Sequence, residues 1–332
     1  MSNKLYILDS KLLQPFDIIM EKGETNFSNV YNKRYGTPYT HAKLYIGNGS
    51  YIDADGTGVK AQQVERTLYE SQDDAIVLRY NGELIDEQKK VIELFVRSEI
   101  GKEFHIPLRV NPMGKSDDKN ELNREYCVRL VASAYQTAGI EIADDVLYCQ
   151  PKDFINSTLL IDAGIKLKEA NDDDIQYANS ICIINKQDEI CANMFERIRQ
   201  ITQADIQTEG QIVDFLIKNP SFDDEIYNSL KNDPYFSMLE QYHNDHPEEY
   251  NVQSFILRYR EKAAIQANYM SKNADEIKNR RYSINLTNYS KLYQRHNLKT
   301  CSLFVNLYHS LIMDCEKRKN MCIEVLNILQ QQ

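Results

Sequence analysis

Residues 40–54 read Thr-His-Ala-Lys-Leu-Tyr-Ile-Gly-Asn-Gly-Ser-Tyr-Ile-Asp-Ala. Apolar side chains at positions 42, 44 and 46 lie on one face of a predicted β-strand over residues 41–47. The Gly-Asn-Gly sequence at residues 47–49 predicts a hairpin turn, because left-handed backbone costs these residue types little. The chain should therefore fold back into a second strand over residues 50–54.

This hairpin carries a histidine and an aspartate on opposite sides of its turn. His41 opens the first strand, and Asp53 lies in the second at a similar distance from the turn. We expect them to be cross-strand neighbours or close to it, with Cβ atoms about 5 Å apart in a paired position. Asp55 would face the same side, and Asp53 could instead be a turn carboxylate before Gly56.

A cysteine stands at the beginning of a predicted helix. Residues 123–135 read Asn-Arg-Glu-Tyr-Cys-Val-Arg-Leu-Val-Ala-Ser-Ala-Tyr, and apolar residues follow Cys127 at helical spacing. This pattern predicts a helix from about residue 123 to residue 138, closed by Gly139. Free amide hydrogens and the positive end of the helix dipole stabilise a thiolate in such a first turn. A cysteine nucleophile needs an imidazole within reach, and the imidazole needs an acceptor that fixes its tautomer. Without these partners, Cys127 would be a small buried apolar residue.

Other periodic stretches complete the first half of the chain. Apolar runs predict strands over residues 16–20, 74–80 and 177–184, and helical spacing predicts a helix over residues 86–100. Polar residues with glycine and proline predict a loop over residues 107–120.

Glycine divides the chain into two halves with different patterns. Of the 12 glycines, 11 fall in the first 164 residues, and glycine serves turns and helix caps. Beyond residue 185 apolar residues recur at the helical period, which is typical of the buried side of a helical bundle. The sequence predicts an α+β domain over residues 1–185 and an all-α helical domain over residues 186–332, with the acidic run at 172–174 as a solvated turn near the junction.

Composition narrows the classes of partner and location. The 39 Lys and Arg against 49 Asp and Glu give a net charge of −10, a field that repels a phosphate backbone, so nucleic acid is not an expected partner. No run approaches the roughly 18 apolar residues of a transmembrane segment, and the start lacks the pattern of a signal peptide. We therefore expect a cytoplasmic protein, or one delivered to another cell as an effector without a signal peptide. The sequence leaves the oligomeric state open.

Neither a cofactor nor a resident metal is expected. The seven cysteines are odd in number and lack short paired spacing, which argues against a disulfide framework or a four-thiolate zinc site. His243 and His246 could lie on one helical face and bind metal, but no cysteine or third histidine lies near them and Pro247 interrupts the helix.

Five separated segments together resemble a known family. They resemble the circularly permuted branch of the NlpC-type papain-like cysteine hydrolases, and more narrowly its YiiX/YebB-like group, relatives of lecithin:retinol acyltransferase. The segments are Pro-Phe-Asp-Ile-Ile at 15–19, Tyr-Thr-His-Ala-Lys-Leu-Tyr-Ile-Gly-Asn-Gly at 39–49, Tyr-Ile-Asp-Ala at 51–54, Tyr-Cys-Val-Arg-Leu-Val-Ala at 126–132 and Gln-Pro-Lys-Asp-Phe at 150–154.

The resemblance covers residues 1 to about 165 and implies a fold and three roles. The implied fold is a permuted papain-like domain in which a small antiparallel sheet packs on the cysteine-bearing helix. Cys127 would be the nucleophile and His41 the base. Asp53 maps to the third position, where members of the family often carry histidine or glutamate. The second half of the chain has no counterpart in the resemblance.

The predicted function is that of a cysteine-dependent hydrolase or acyltransferase. Its substrate would be a peptide, another amide, or an acyl lipid, cleaved at an amide, thioester or ester through a covalent acyl-enzyme. Tyr126, adjacent to the nucleophile, is predicted to contact substrate, with core packing as the alternative. The alternative function is a catalytically idle papain-like scaffold or binding module that works through the helical half. A sulfur beyond about 5 Å from both imidazole nitrogens would favour that alternative.

Overall fold

The computed structural model describes residues 4–23, 31–33, 36–107, 109–110, 121–180 and 183–331, apart from the side chains of 183–185. The predicted loop over 107–120 lies almost wholly outside these residues. The chain is α+β and divides into two compact units, Met1–Asn185 and Lys186–Gln332. Among the helices so described, none is both long enough and apolar enough to cross a membrane.

Eight short strands form two antiparallel sheets in the described part of the first unit. A small sheet pairs β1 (Tyr6–Ile7) with β8 (Lys168–Glu169). The larger sheet has the order β5-β4-β3-β2-β6-β7. Its strands are β2 (Ile18–Lys22), β3 (Tyr39–Gly47), β4 (Ser50–Asp55), β5 (Gly58–Gln63), β6 (Ala75–Tyr80) and β7 (Leu160–Asp162). The strands predicted over 16–20, 41–47, 50–54 and 74–80 are confirmed to within a few residues.

The turn between β3 and β4 fixes which residues face each other. Gly47, Asn48 and Gly49 all have left-handed backbone, with φ of 94°, 55° and 74°. The pairing register shifts near the turn, so that Asp53 stands directly opposite Lys43 rather than His41. His41 and Asp53 are therefore diagonal neighbours, two residues from a direct pair.

Both faces of the larger sheet are covered. The described helices of the first unit are α1 (Asp86–Ser98), α2 (Cys127–Thr137), α3 (Pro151–Asn156) and α4 (Asp172–Asn179). Apolar residues of β3 and β4 such as Leu44 and Ile52 pack with Leu130 and Ala134 of α2 in one core. The other face contributes tyrosines and aliphatic residues of β2, β3, β4 and β6 to a second core.

Helix α2 begins four residues later than predicted, at Cys127 itself. The reason lies in the preceding backbone, because Glu125 forms a parallel bridge with Phe104. The Glu125 amide donates to the Glu103 carbonyl over 3.0 Å, and the His105 amide donates to the Glu125 carbonyl over 3.0 Å. These bonds keep the chain extended up to Tyr126 and place the cysteine in the first helical position.

The strand predicted over residues 177–184 is wrong. Its first residues end α4, and residues 183–184 begin the next helix. Asn171 caps α4 by accepting from the Asp174 amide, so the acidic run at 172–174 is the first turn of a helix. The helix dipole stabilises negative charge at that end. A short apolar run has the same appearance in a buried strand and in a helix.

The second unit is helical, as predicted. Its described helices are α5 (Ile183–Thr202), α6 (Glu209–Lys218), α7 (Asp223–Leu230), α8 (Pro234–Asp245), α9 (Val252–Tyr259), α10 (Ala263–Ile277), α11 (Ser283–His296) and α12 (Lys299–Gln330). The first residues of α5 belong to the first unit. Helix α12 packs along α10 and α11. Within this unit Glu209 accepts hydrogen bonds from the hydroxyls of Tyr289 and Tyr308 over 3.1 and 3.0 Å.

One buried hydrogen bond ties α2 to the chain entering the sheet. The Tyr135 hydroxyl donates to the Phe16 carbonyl over 2.6 Å. We expect Tyr135→Phe to lower the free energy of unfolding by about 1–3 kcal/mol, because it removes the donor from a buried carbonyl. Urea unfolding followed by circular dichroism measures this. Tyr80→Phe is the control, since the Tyr80 hydroxyl makes no hydrogen bond within the described part of the chain. Equal losses in both variants would contradict the expectation.

Candidate active site

The Cys127 sulfur lies at the start of α2, next to the beginning of β3. The N-cap residue Tyr126 is extended and provides no side-chain cap, so the N–H groups of the first turn and the helix dipole favour negative charge at this point. The sulfur is 3.9 Å from the carbonyl oxygen of Thr40, the residue before His41. Cys127 is 7% exposed. Helix and strand therefore place the thiol beside the histidine.

His41 lies between a carboxylate and this thiol. Its Nε2 is 2.9 Å from Asp53 Oδ2. The Cys127 side chain also acts on the imidazole, since it is one of the groups that raise the pKa of His41. The His41 side chain is 23% exposed, whereas that of Asp53 is 4% exposed, so the imidazole is the more accessible of this pair. The structure thus brings the three predicted catalytic side chains together.

The surroundings of His41 favour the imidazolium. Burial lowers the pKa of His41, but the hydrogen bonds and negative charges of Asp53 and Cys127 outweigh burial and raise the pKa to about 10. Near neutral pH the sulfur therefore has a cation beside it. A neighbouring cation is one of the features that make a cysteine thiolate available for reaction.

The two aspartates of β4 have different partners. Asp53 faces His41, whereas Asp55 accepts from the amide and hydroxyl of Thr57 over 2.8 and 2.6 Å. Lys60 Nζ lies 2.8 Å from the other oxygen of Asp55. Asp55 is therefore the turn carboxylate of this strand, and Asp53 is the partner of the imidazole.

Tyr126 has the contacts of a packing residue. It is 1% exposed. Its hydroxyl donates to the carbonyl oxygens of Leu147 and Cys149 over 3.0 and 3.1 Å. These contacts hold the chain before α3 against α2, which is the alternative considered for this tyrosine beside substrate contact.

The sequence analysis did not single out a buried lysine, Lys43, which lies two residues after His41 on β3. Lys43 Nζ is 2.7 Å from Glu21 Oε1 and 3.2 Å from the Tyr51 hydroxyl. Burial lowers the pKa of Lys43, but the charges of Glu21, Tyr51 and Asp53 raise it above its ordinary value. The available signal was a lysine in the middle of a strand whose neighbours are nearly all apolar.

Other described cysteines have less reactive surroundings than Cys127. Burial raises the thiol pKa of five of them, namely Cys149, Cys191, Cys301, Cys315 and Cys322. A raised pKa leaves less thiolate at neutral pH, and the thiolate is the reactive form.

The two histidines considered as metal ligands have carboxylate partners instead. His243 Nε2 is 2.7 Å from Asp314 Oδ1, and His246 Nδ1 is 3.4 Å from Glu248 Oε1. Across the residues with described positions, no three His, Cys, Asp or Glu side chains are grouped so that they could hold a metal ion.

Stability should depend on pH through His41. Its pKa of about 10 lies above the reference value of 6.5, so the folded chain keeps a proton that the unfolded chain releases. This stabilisation is present in full below pH 6.5 and is lost as the pH rises through about 10. We expect the stability advantage of wild type over His41→Gln, measured by urea unfolding, to shrink between pH 6 and pH 10.

His309→Gln is the control for this measurement, since it removes an exposed histidine of α12. An advantage of wild type over His41→Gln that stays constant or grows with pH would contradict the raised pKa.

Comparisons with known proteins include a partial structural similarity. No protein-family model matches the chain, and no curated protein matches it. A solved structure described as the metalloprotein yiiX from Escherichia coli O157:H7, DUF1105, is 18% identical, with a TM-score of 0.36. The similarity covers 46% of this chain and 97% of that protein. A similarity of this extent assigns no family to the chain.

Proposed function

We propose that this protein is a cysteine-dependent hydrolase or acyltransferase whose first unit is a permuted papain-like domain. The observation that supports this is the position of His41, whose Nε2 meets Asp53 and whose neighbour Thr40 has its carbonyl oxygen 3.9 Å from the Cys127 sulfur. A thiol, an imidazole and an orienting carboxylate in this sequence of contacts are the parts of a nucleophilic acyl-transfer site.

The first chemical step forms a bond between sulfur and the acyl carbon. The Cys127 thiolate attacks the carbonyl carbon of an amide, thioester or ester, and the carbonyl oxygen becomes an oxyanion. The Cys127 amide at the start of α2 is positioned to donate to this oxyanion. When the bond to the leaving group breaks, the His41 imidazolium gives its proton to the departing amine, thiol or alcohol.

The second step releases the acyl group. Neutral His41 takes a proton from water or from another acceptor, which attacks the thioester carbon and expels the Cys127 thiolate. Asp53 keeps the imidazole in one tautomer and stabilises the imidazolium that forms again. Water as acceptor gives hydrolysis, and an alcohol, thiol or amine gives acyl transfer.

The distribution of thiols supports Cys127 as the nucleophile. Five other described cysteines are buried and have raised pKa values. Cys127 instead is the first residue of α2 and lies near the His41 imidazolium. The Cys127 sulfur lies against the carbonyl of Thr40, the residue before His41, and Asp53 meets the imidazole from another side. This placement favours an enzyme over the idle scaffold.

Iodoacetamide labelling tests the nucleophile without a known substrate. We expect brief labelling at neutral pH to alkylate Cys127 first, as read from its peptide by mass spectrometry. His41→Ala should slow this reaction at least tenfold, because it removes the cation beside the sulfur. Cys127→Ala should abolish the rapid labelling while circular dichroism shows an unchanged fold.

Cys149→Ala is the matched control, since it removes another buried thiol of the same unit and should leave rapid labelling intact. Rapid labelling that persists in Cys127→Ala, or that is unaffected by His41→Ala, would overturn the assignment. A screen of peptide amides, thioesters and lipid esters, with wild type and Cys127→Ala in parallel, then identifies the bond that is cleaved.

A further inference from the structure

We propose that Lys43 is a positioning residue of this site, which holds the Asp53 carboxylate in line with His41 by placing a buried positive charge opposite it. This inference rests on the proposed function and extends it to a residue outside the group of three. Lys43 touches neither the sulfur nor the imidazole in any described contact, so its action would pass through Asp53.

The sheet register places the two residues together. Lys43 of β3 and Asp53 of β4 are direct partners in the antiparallel ladder. Side chains of direct partners lie on the same face, with Cβ atoms about 4.5–5.5 Å apart. Lys43 is 5% exposed and Asp53 is 3% exposed, so water screens neither charge effectively.

Asp53 has only part of its hydrogen-bonding capacity satisfied. Its Oδ2 meets His41 Nε2, whereas its Oδ1 is buried and has no hydrogen-bond partner in the described part of the chain. A buried carboxylate in this condition is costly unless positive charge lies near. His41 supplies one such charge only while it is protonated. Lys43 supplies a permanent one.

The remaining neighbours fix Lys43 in place. Its ammonium contacts Glu21 of β2 and the Tyr51 hydroxyl of β4. Glu21 also accepts from the Tyr69 hydroxyl, and the Tyr51 hydroxyl donates to Gln62 Oε1 over 3.0 Å. One ammonium thus serves two carboxylates, Glu21 by direct contact and Asp53 by its charge.

Removal of this cation should change how the site depends on pH. Without Lys43, no fixed positive charge faces the Asp53 carboxylate, and its hold on the imidazolium weakens. Alkylation of Cys127 should then be slower at low pH. The charged and titratable groups that bear on this balance are Glu21 of β2, His41 of β3, Tyr51 of β4, Tyr69 after β5, and Cys127 of α2.

The experiment measures the rate of Cys127 alkylation by iodoacetamide between pH 4 and pH 10. In Lys43→Met, we expect the acid limb of the profile to move up by about one pH unit or more, because an opposite charge at close range shifts a pKa by that order. Glu21→Gln/Lys43→Met removes both members of the ion pair, so that Glu21 is not left as a buried carboxylate without its lysine. This double variant should show the same shift of the acid limb as Lys43→Met. It replaces Lys43→Met in the test if that single variant does not fold.

A second pair of variants tests whether the effect passes through Asp53. In an Asp53→Asn background there is no carboxylate for Lys43 to hold, so Lys43→Met should add no further shift. An equal shift in both backgrounds would show that Lys43 acts on the sulfur directly or through the fold, and would overturn the inference. A wild-type profile in Glu21→Gln/Lys43→Met would also overturn it.

The outcomes separate this inference from the proposed function. If the alkylation profile of His41→Ala equals that of wild type, the thiol and imidazole do not act together, and both proposals fail. If His41→Ala changes the alkylation profile but removal of Lys43 leaves it as in wild type, only the positioning role of Lys43 fails.

Discussion

The contact between His41 and the buried carboxylate of Asp53 is the interaction on which the arrangement of the first unit depends. A carboxylate that is 3% exposed is stable in a sheet only if positive charge faces it. That requirement fixes the register of β3 and β4 to within one residue, because a shift of one position would turn Asp53 to the opposite face. The left-handed turn at residues 47–49 and the register shift beside it provide this register.

The position of the thiol follows from a second constraint, the point at which α2 can begin. Extended pairing of Glu125 with the chain at residues 103–105 delays the helix until Cys127. Arg129, which is 2% exposed, reinforces this start by donating from Nε to Glu125 Oε2 over 2.9 Å. A helix that began at residue 123 would place the cysteine in its second turn, beyond the free N–H groups that favour a thiolate.

Much of this arrangement could be predicted from local patterns, and the rest depends on contacts that such patterns do not contain. Alternation and the Gly-Asn-Gly turn were sufficient for the hairpin, and helical spacing was sufficient for α2. Strands of two or three residues, such as β1 and β7, are too short to show a period. The alternating pattern could not predict which of Asp53 and Asp55 is the partner of the imidazole, because both face the same side of the strand. The choice is decided by the turn at Thr57, which engages Asp55. The catalytic roles of Cys127, His41 and Asp53 stay predictions.

The charged residues in the middle of the sheet have a further implication. Apolar side chains at positions 21 and 43 would pack between the two covered faces at lower cost, since a buried ion pair is often no more stabilising than apolar residues of similar volume. The Glu21 and Lys43 pair is therefore hard to explain as a device for stability alone. Lys43 lies two residues from His41 on β3 and directly opposite Asp53 on β4, and Glu21 is the direct partner of His41 on β2. A fixed cation at that point makes the carboxylate less dependent on the protonation state of the imidazole. In the proposed reaction the imidazole gives up its proton and recovers it, and a carboxylate held by a fixed cation would still orient the ring at the step in which the ring is neutral.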